Sequence, residues 1–593
     1  MKTIIRLLVF CRPYKLYIVL IFLGSLFSTL LSLIPTYLMK PLTDRVLAPS
    51  QPTSVQDRIV MLHLLIISLI VVQVINTVVG SLLAYHKGRL SEKIGLNLRQ
   101  TACAHLQTLS LKYYQRETVG GLYSRILHDT ANLQFFITSE VLDFFMDMVM
   151  FFGIGAVLFS LEGRLTLLLL LPMPLIVILA NIFGDKMIIT YRKLYQKMAN
   201  LSSVLFNIIK GAIIVKTNTA EERELARFEK ASTDVFNERL YNSKLHFLFS
   251  PSMGFILFLC GIMIRWYGGW KVIRGELSLG DMMVFIGYMW QFYGPITEMN
   301  SIYMRYQSTK AVGERVFSVL DTEPEIKDDP NAIELPNING SIKFDAVTFS
   351  YDGKKNILQD INLEIKPGEV LGVMGPSGAG KTSLIHLLCR LYDPTCGSIY
   401  IDGHELRKVK MASLLKHIGI VLQDTILFSG TISENIAYAR PDASSIEIIL
   451  AARAAGAHDF IMNLPDAYDT ILGEGGAGLS GGEKQRISIA RVLLKNPKII
   501  IFDEATSAVD LTTEEMIQAA IEKMKKEGHT VITISHKLSM MQITDRLIFI
   551  ENGQIIECGT YESLNRAGGA LNRFLIEKKE EKTKERSLDF YVL

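Results

Sequence analysis

Glu369-Val-Leu-Gly-Val-Met-Gly-Pro-Ser-Gly-Ala-Gly-Lys-Thr382 is the stretch on which the fold of this chain turns. Glu369 to Met374 reads as a short apolar strand. Gly375 to Thr382 matches GxxxxGK[ST], and an apolar helical segment follows. That order of strand, loop and helix is the setting in which such a loop cradles phosphate. The glycines let successive N–H groups curl around phosphate oxygens, and the helix adds its positive N-terminal end. Lys381 contributes a point charge, and the Thr382 hydroxyl can reach Mg²⁺. A chance glycine turn is the alternative, and the flanking strand and helix disfavour it.

Downstream, a second apolar run, Ile499 to Phe502, ends in Asp503-Glu504. Carboxylates at the carboxyl end of a buried parallel strand face the place where ligands bind in such sheets. Asp503 can hold Mg²⁺, and Glu504 can orient or deprotonate an attacking water. Between the two lies Leu479-Ser480-Gly481-Gly482-Glu483, followed by the helical KQRISIARVLL. Two glycines and a serine before a helix make another phosphate-facing backbone edge. A second phosphate loop is surplus to a simple kinase and points to a site shared between two subunits.

Upstream, the character changes. The stretch TEPEIKDDPNAIELPNING is a linker by composition. Before residue 305, six segments pass the test of ~20 mostly apolar residues needed to cross hydrocarbon: Leu16 to Met39, Ile59 to Tyr85, Thr138 to Leu161, Leu165 to Gly184, Leu245 to Ile264 and Leu279 to Ser301. Four of them (the first, second, fourth and fifth) carry no Asp, Glu, Lys or Arg. Residues 86–137 hold seven basic residues and residues 185–244 eleven, whereas the loops 40–58, 162–164 and 265–278 are short. Positive charge stays on the cytoplasmic side, so both termini are expected there. The two basic loops are helix-patterned and are expected to extend the spans into water, turning at short crosswise helices near Tyr113 to Arg125 and Ile208 to Glu222.

The balance of the whole chain agrees with a membrane part joined to a soluble part. Apolar residues make up 49% and charged residues 20% of the 593, with mean hydropathy +0.27. Net charge is +3 (62 basic minus 59 acidic), which demands no nucleic-acid partner. The six cysteines are scattered without a CxxC pair, and a reducing compartment fits. The first apolar run is too long for a signal-peptide core. The expected fold class is an all-α six-helix membrane domain (residues 1–320), a linker (321–340), an α/β P-loop ATPase domain (341–578) and a charged tail (579–593).

These motifs together resemble the ATP-binding cassette (ABC) exporter half-transporters, the family of bacterial multidrug exporters and lipid A flippases, over nearly the whole chain. Gly375 to Thr382 matches Walker A, Asp503-Glu504 the end of Walker B, and LSGGE the family's LSGGQ. Gln423 matches the Q-loop, Tyr351 the adenine-stacking aromatic, Ser507 to Asp510 the D-loop, and His536 in TISHKLS the switch histidine. Gly268 to Ile286 resembles the fifth-to-sixth span hairpin, Val119 to Thr130 the first cytoplasmic loop, and Thr470 to Gly476, with Glu474, the exporter X-loop.

The resemblance implies two ATPase domains sandwiching two ATP molecules head to tail. ATP-binding residues are then Tyr351, Gly375, Ser377, Gly378, Gly380, Lys381, Thr382, Ser383, Gln423, Ser480, Gly481, Gly482 and Asp510. Thr382, Gln423 and Asp503 hold Mg²⁺, and Glu504 and His536 are catalytic. Ser480 and Gly482 reach the γ-phosphate of the partner's nucleotide. Glu483 departs from the usual Gln, and its side chain is expected to point away from the phosphate. An intact catalytic glutamate and glycine pair favour a homodimer over pairing with a homologous half-transporter. The implied location is the cytoplasmic membrane.

The substrate must be read from the membrane half. Asp143 and Asp147 lie four apart on one face of the third span, with Glu140 one turn before and Glu298 near the end of the sixth. Intramembrane carboxylates usually face a cavity or a partner, which suits a cationic, amphipathic substrate. Pairing with basic loop residues at the watery end of the span is the alternative. No Arg or Lys lies between Glu140 and Leu161, which argues against a phosphorylated glycolipid. Export of an amphipathic drug or lipid-like molecule leads. Flipping of lipid A or a lipid-linked glycolipid, export of a small peptide and an ATP-gated regulator stand behind it.

Overall fold

The computed structural model describes residues 2–48, 54–504 and 511–577, and the side chains at 2–4, 180, 296–301, 303–304, 474 and 511–513 lie outside that description. Two compact units divide the chain: Met1–Leu109 with Arg116–Glu323, and Ser110–Gln115 with Pro324–Leu593.

The first unit is helical throughout. Its longest helix, Val55–Thr108, has 54 residues. At 1.5 Å per residue that is about 80 Å, against a hydrocarbon thickness of about 30 Å. The helix changes character along its length. Leu64, Ile67, Ile70, Val71, Val74 and Val78 are all exposed, as an apolar surface meant for lipid must be. Further on, Leu90, Ile94, Leu98 and Ala102 form a buried stripe at a spacing of four, the pattern of a helix packed on one face in water. Leu98 packs with Leu7, Leu133 and Val316, and Ile94 with Ile21 and Met146.

Five helical stretches among the described residues are long and apolar enough to cross a membrane: Ile5–Leu47, Val55–Thr108, Val119–Leu161, Gly163–Lys210 and Glu221–Ile273. The sixth expected span opens the helix Leu279–Asp321, part of which lies outside the described side chains. Tyr288, Phe292 and Tyr293 of that helix fill a core with Ile154, Leu158, Leu169 and Cys260. A short helix, Leu111–Arg116, starts two residues before the first expected turn. Gly120 and Gly121 instead fall inside the next helix, Val119–Ser124, whose start Thr118 caps by accepting from Gly121 N–H. Another short helix, Ala212–Thr217, falls in the window of the second expected turn.

Among the described residues, the second unit holds two large sheets and a small two-stranded one, Gly430–Thr431 with Ile471–Leu472. One has four strands in the order Leu358–Ile365, Ile342–Phe349, Cys396–Ile401, His404–Glu405, all antiparallel. The other has six, in the order Gln554–Gly559, Arg546–Glu551, Val370–Met374, Thr530–Ile534, Ile499–Asp503, Ile418–Val421. Every pairing in it is parallel except the Gln554 edge. The three central strands are buried at every residue, which is why they read as unbroken apolar runs. Because they run parallel, the residues that follow them all emerge along one edge of the sheet.

Candidate nucleotide site

Four of the motifs singled out in the sequence occupy that edge. Gly375 follows Val370–Met374, Glu504 follows Ile499–Asp503, His536 lies two residues past Thr530–Ile534, and Gln423 lies two past Ile418–Val421. The sheet order places these strands side by side, so parallel topology alone brings together residues more than 150 positions apart in the chain.

The glycines of the loop are used in two distinct ways. Gly375 has φ +156°, and a Cβ there would lie 2.1 Å from the Ile550 carbonyl oxygen. Gly380 has φ +102° and starts the helix Lys381–Leu388 without a side chain over its first N–H groups. Lys381 is buried, and its ammonium donates to the carbonyls of Gly375 and Pro376, both at 2.9 Å. Ser377, Gly378 and Thr382 are exposed and Ser383 is buried. The Tyr351 hydroxyl bonds to Ser383 Oγ at 2.9 Å, and its ring sits edge-on against Phe349 and Tyr392. Tyr392 donates in turn to Gln115 Oε1 at 3.0 Å, within the same unit, to which Ser110–Gln115 belongs.

Opposite the loop, Asp503 is 7% exposed. Burial pushes its carboxyl up to about 6, the Glu504 charge adds to the rise, and Lys381 opposes it. Glu504 takes φ +47°, a conformation that costs an ordinary residue about 1–2 kcal/mol. Its N–H donates to the Ile534 carbonyl at 2.9 Å, and its Oε1 lies 3.1 Å from His536 Nε2. Strain held at a carboxylate that faces a histidine is a mark of function.

The Asp503 shift carries a stability prediction. Its ionisation opposes folding as pH rises from the ordinary 3.8 through about 6, with a ceiling of about 3 kcal/mol that solvent near the site lowers to about 1–2 kcal/mol. Below about pH 4 both states are protonated and the penalty vanishes. Asp503→Asn is therefore expected to raise the thermal midpoint of nucleotide-free protein, more at pH 8 than at pH 5. An equal or negative change at pH 8 would contradict this.

The third motif behaves differently from its expectation. Ser480 caps the helix Gly481–Lys495, and Glu483 completes a reciprocal capping box. The Glu483 carboxylate accepts from Ser480 N–H at 2.7 Å and from Ser480 Oγ–H at 2.8 Å. The side chain thus turns back onto Ser480 instead of away from the phosphate-facing edge, because the N3 position of a helix is where an acid reaches its own cap. The D-loop, with Asp510, lies outside the described residues. One buried carboxylate that motif matching passes over, Glu514, lies beside the switch-histidine turn. In sequence it reads as an ordinary acid in a helix's first turn.

In the membrane unit, Asp143 Oδ1 pairs with Lys87 Nζ at 3.0 Å, and buried Glu140 pairs with Arg305 at 3.1 Å. Asp147 is half-buried, and the side chain of Glu298 lies outside the described residues. Asp143 thus pairs with a basic residue of the 86–137 segment, the alternative left open by the sequence, while the partner of Glu140 comes from the last helix of the unit, which no count along the third span could detect.

A phosphate loop facing an acid pair and a histidine, on a chain whose first half is membrane-length helices, defines a transport ATPase fused to its membrane domain. The family models agree: the ABC transporter transmembrane region matches residues 18–296 and the ABC transporter domain residues 358–507. The chain belongs to the ABC transporter family, as an ATP-driven exporter with both parts in one polypeptide. It is 38% identical to an ATP-dependent lipid A-core flippase of Syntrophus aciditrophicus, over 84% of this chain and 82% of that one. A candidate multidrug export ATP-binding/permease protein of Bacillus subtilis is 36% identical over 80% of this chain and 82% of its own. The solved structure of a bacterial Atm1-family ABC exporter with ATP bound superposes with a TM-score of 0.82 at 28% identity, covering 96% of this chain and 98% of that one.

Proposed function

We propose that this chain, paired with a second copy, hydrolyses ATP to move an amphipathic drug or lipid-like molecule outward across the cytoplasmic membrane by alternating access. Both termini lie in the cytoplasm, residues 1–320 form the membrane domain, and residues 341–578 form the ATPase domain. The observation that carries this is the Glu504–His536 contact of 3.1 Å beside the phosphate loop, a hydrolytic pair on a chain with five membrane-length helical stretches among its described residues.

Lys381 and the loop N–H groups hold the β- and γ-phosphates, Tyr351 meets the adenine, and Ser480 and Gly482 reach the partner's γ-phosphate. Glu504 orients and deprotonates the attacking water, and His536 holds the γ-phosphate against it. Thr382, Asp503 and Gln423 offer hydroxyl, carboxylate and amide oxygens, the hard donors that suit Mg²⁺, and buried Asp503 has an adjacent cation to gain from. Bound there, Mg²⁺ neutralises charge on the phosphoryl oxygens.

Glu483 sets a competition in this arrangement, since its carboxylate already takes the Ser480 donors and repels an incoming phosphate. Glu483→Gln preserves the cap, because Gln also serves at N3, and removes one negative charge, worth about 1 kcal/mol at a wet surface. The KM for ATP is expected to fall about 2–5-fold with an unchanged thermal midpoint. A raised KM would overturn the competition.

A second substrate class is favoured by one observation. Lys87 and Arg305 neutralise Asp143 and Glu140, which removes much of the acidic patch that would attract cations. A lipid A or lipid-linked glycolipid substrate fits that balance, and the Syntrophus relative is named for such an activity. Vanadate-sensitive ATP turnover in lipid nanodiscs, measured across cationic dyes, lipids, glycolipids and short peptides, tests both. Stimulation by dyes or simple lipids supports the lead and stimulation by glycolipid alone the second. Absence of any turnover would sink the exporter.

A further inference from the structure

Glu514 stands in the first turn of the helix Leu511–Lys526 and is 6% exposed. Its carboxylate accepts from Lys537 Nζ at 2.7 Å and from the Ser539 hydroxyl. Lys537 lies in the turn between the strand Thr530–Ile534 and the helix Leu538–Gln542, the turn that carries His536, and Ser539 lies in the first turn of that helix. On the other side of the histidine, Ser535 Oγ accepts the Lys537 N–H at 3.0 Å. Burial alone would push the Glu514 carboxyl up, but Lys537 and Ser539 outweigh it and hold it below the usual carboxylate range.

A buried ion pair of this kind is weak evidence for stability, because desolvation offsets much of the attraction. What two charge-assisted bonds from one carboxylate do supply is geometry. The helix that carries Glu514 follows the catalytic carboxylate in the chain, whereas the donors follow the neighbouring strand. The pair therefore locks together the segments after the two strands that deliver Glu504 and His536.

We propose that Glu514 is a positioning residue for ATP hydrolysis: by holding Lys537 and Ser539 it fixes the His536 turn so that Nε2 stands 3.1 Å from Glu504. This rests on the reading of Glu504 and His536 as the hydrolytic pair. Misplacing such a pair by a fraction of an ångström slows the chemical step while leaving the phosphate loop, and hence nucleotide binding, intact.

The test uses full-length protein in lipid nanodiscs and compares wild type, Glu514→Gln, His536→Ala and the double variant. Glu514→Gln is expected to lower kcat about 10-fold, or about 1.4 kcal/mol, with the KM for ATP within about twofold. In the His536→Ala background the same change is expected to add nothing, because the two act in one unit. Losses that multiply in the double variant, or a KM that rises while kcat holds, would overturn the proposal. Should Glu514→Gln lower the thermal midpoint strongly, Lys537→Met provides the second route, with the same non-additivity expected and multiplying losses again fatal. A Glu504→Gln control separates the layers. If turnover survives that change, the hydrolytic pair is wrong and the proposal falls with it. If turnover is abolished while Glu514→Gln is silent, only the positioning role falls.

Discussion

Glu504→Gln is expected to cut ATP turnover about 10²–10³-fold while ATP still binds, a loss of about 2.7–4 kcal/mol in transition-state stabilisation. The amide has the shape of the carboxylate and can still accept from His536 Nε2, which lies 3.1 Å away in the parent. What it cannot do is take a proton from water at neutral pH. The phosphate loop is untouched, since Lys381 makes its own contacts with Gly375 and Pro376. The change also removes the Glu504 charge that helps push the Asp503 carboxyl up, so nucleotide binding should hold or tighten. Phosphate release and equilibrium nucleotide binding, measured on the same preparation, check both halves. A variant within tenfold of wild-type turnover would remove Glu504 from the role of base.

Much of this site was legible in the chain because its chemistry resides in local strings. A phosphate loop needs glycines at fixed spacing from a lysine, and a buried parallel strand needs an unbroken apolar run, so Val370–Met374 and Ile499–Asp503 announce themselves. The long helices were equally plain, since lipid and water each impose their own pattern on Val55–Thr108. What escaped are pairings between segments distant in sequence. Pairing of Asp143 with a basic loop residue is an open alternative in the sequence, and only the fold picks out Lys87, whereas Glu514 and Lys537 are ordinary charges until the fold sets them face to face. Glu483 escaped for another reason. The motif comparison turned its side chain away from the phosphate, whereas its place at N3 of a helix turns it back onto Ser480.

Gly375→Ala is the second large effect, and it separates two uses of glycine in one loop. At Gly375 the added methyl would sit 2.1 Å from the carbonyl oxygen of Ile550 and 3.1 Å from its carbon. Ile550 belongs to the strand Arg546–Glu551, which is hydrogen-bonded to the strand that feeds the loop. Neither partner is a flexible side chain, so the backbone must move, and φ +156° is a region that only glycine occupies cheaply. Together these place the change among the severe ones, about 3–5 kcal/mol. The thermal midpoint of the ATPase unit should fall about 10 °C, with ATP binding lost because the displaced loop can no longer converge its N–H groups. Gly378→Ala supplies the contrast. Gly378 has φ +79° and nothing within 4 Å of the added carbon, so strain alone remains, about 1 kcal/mol. If both variants lost stability equally, the close approach of the Ile550 carbonyl would not be what reserves position 375 for glycine.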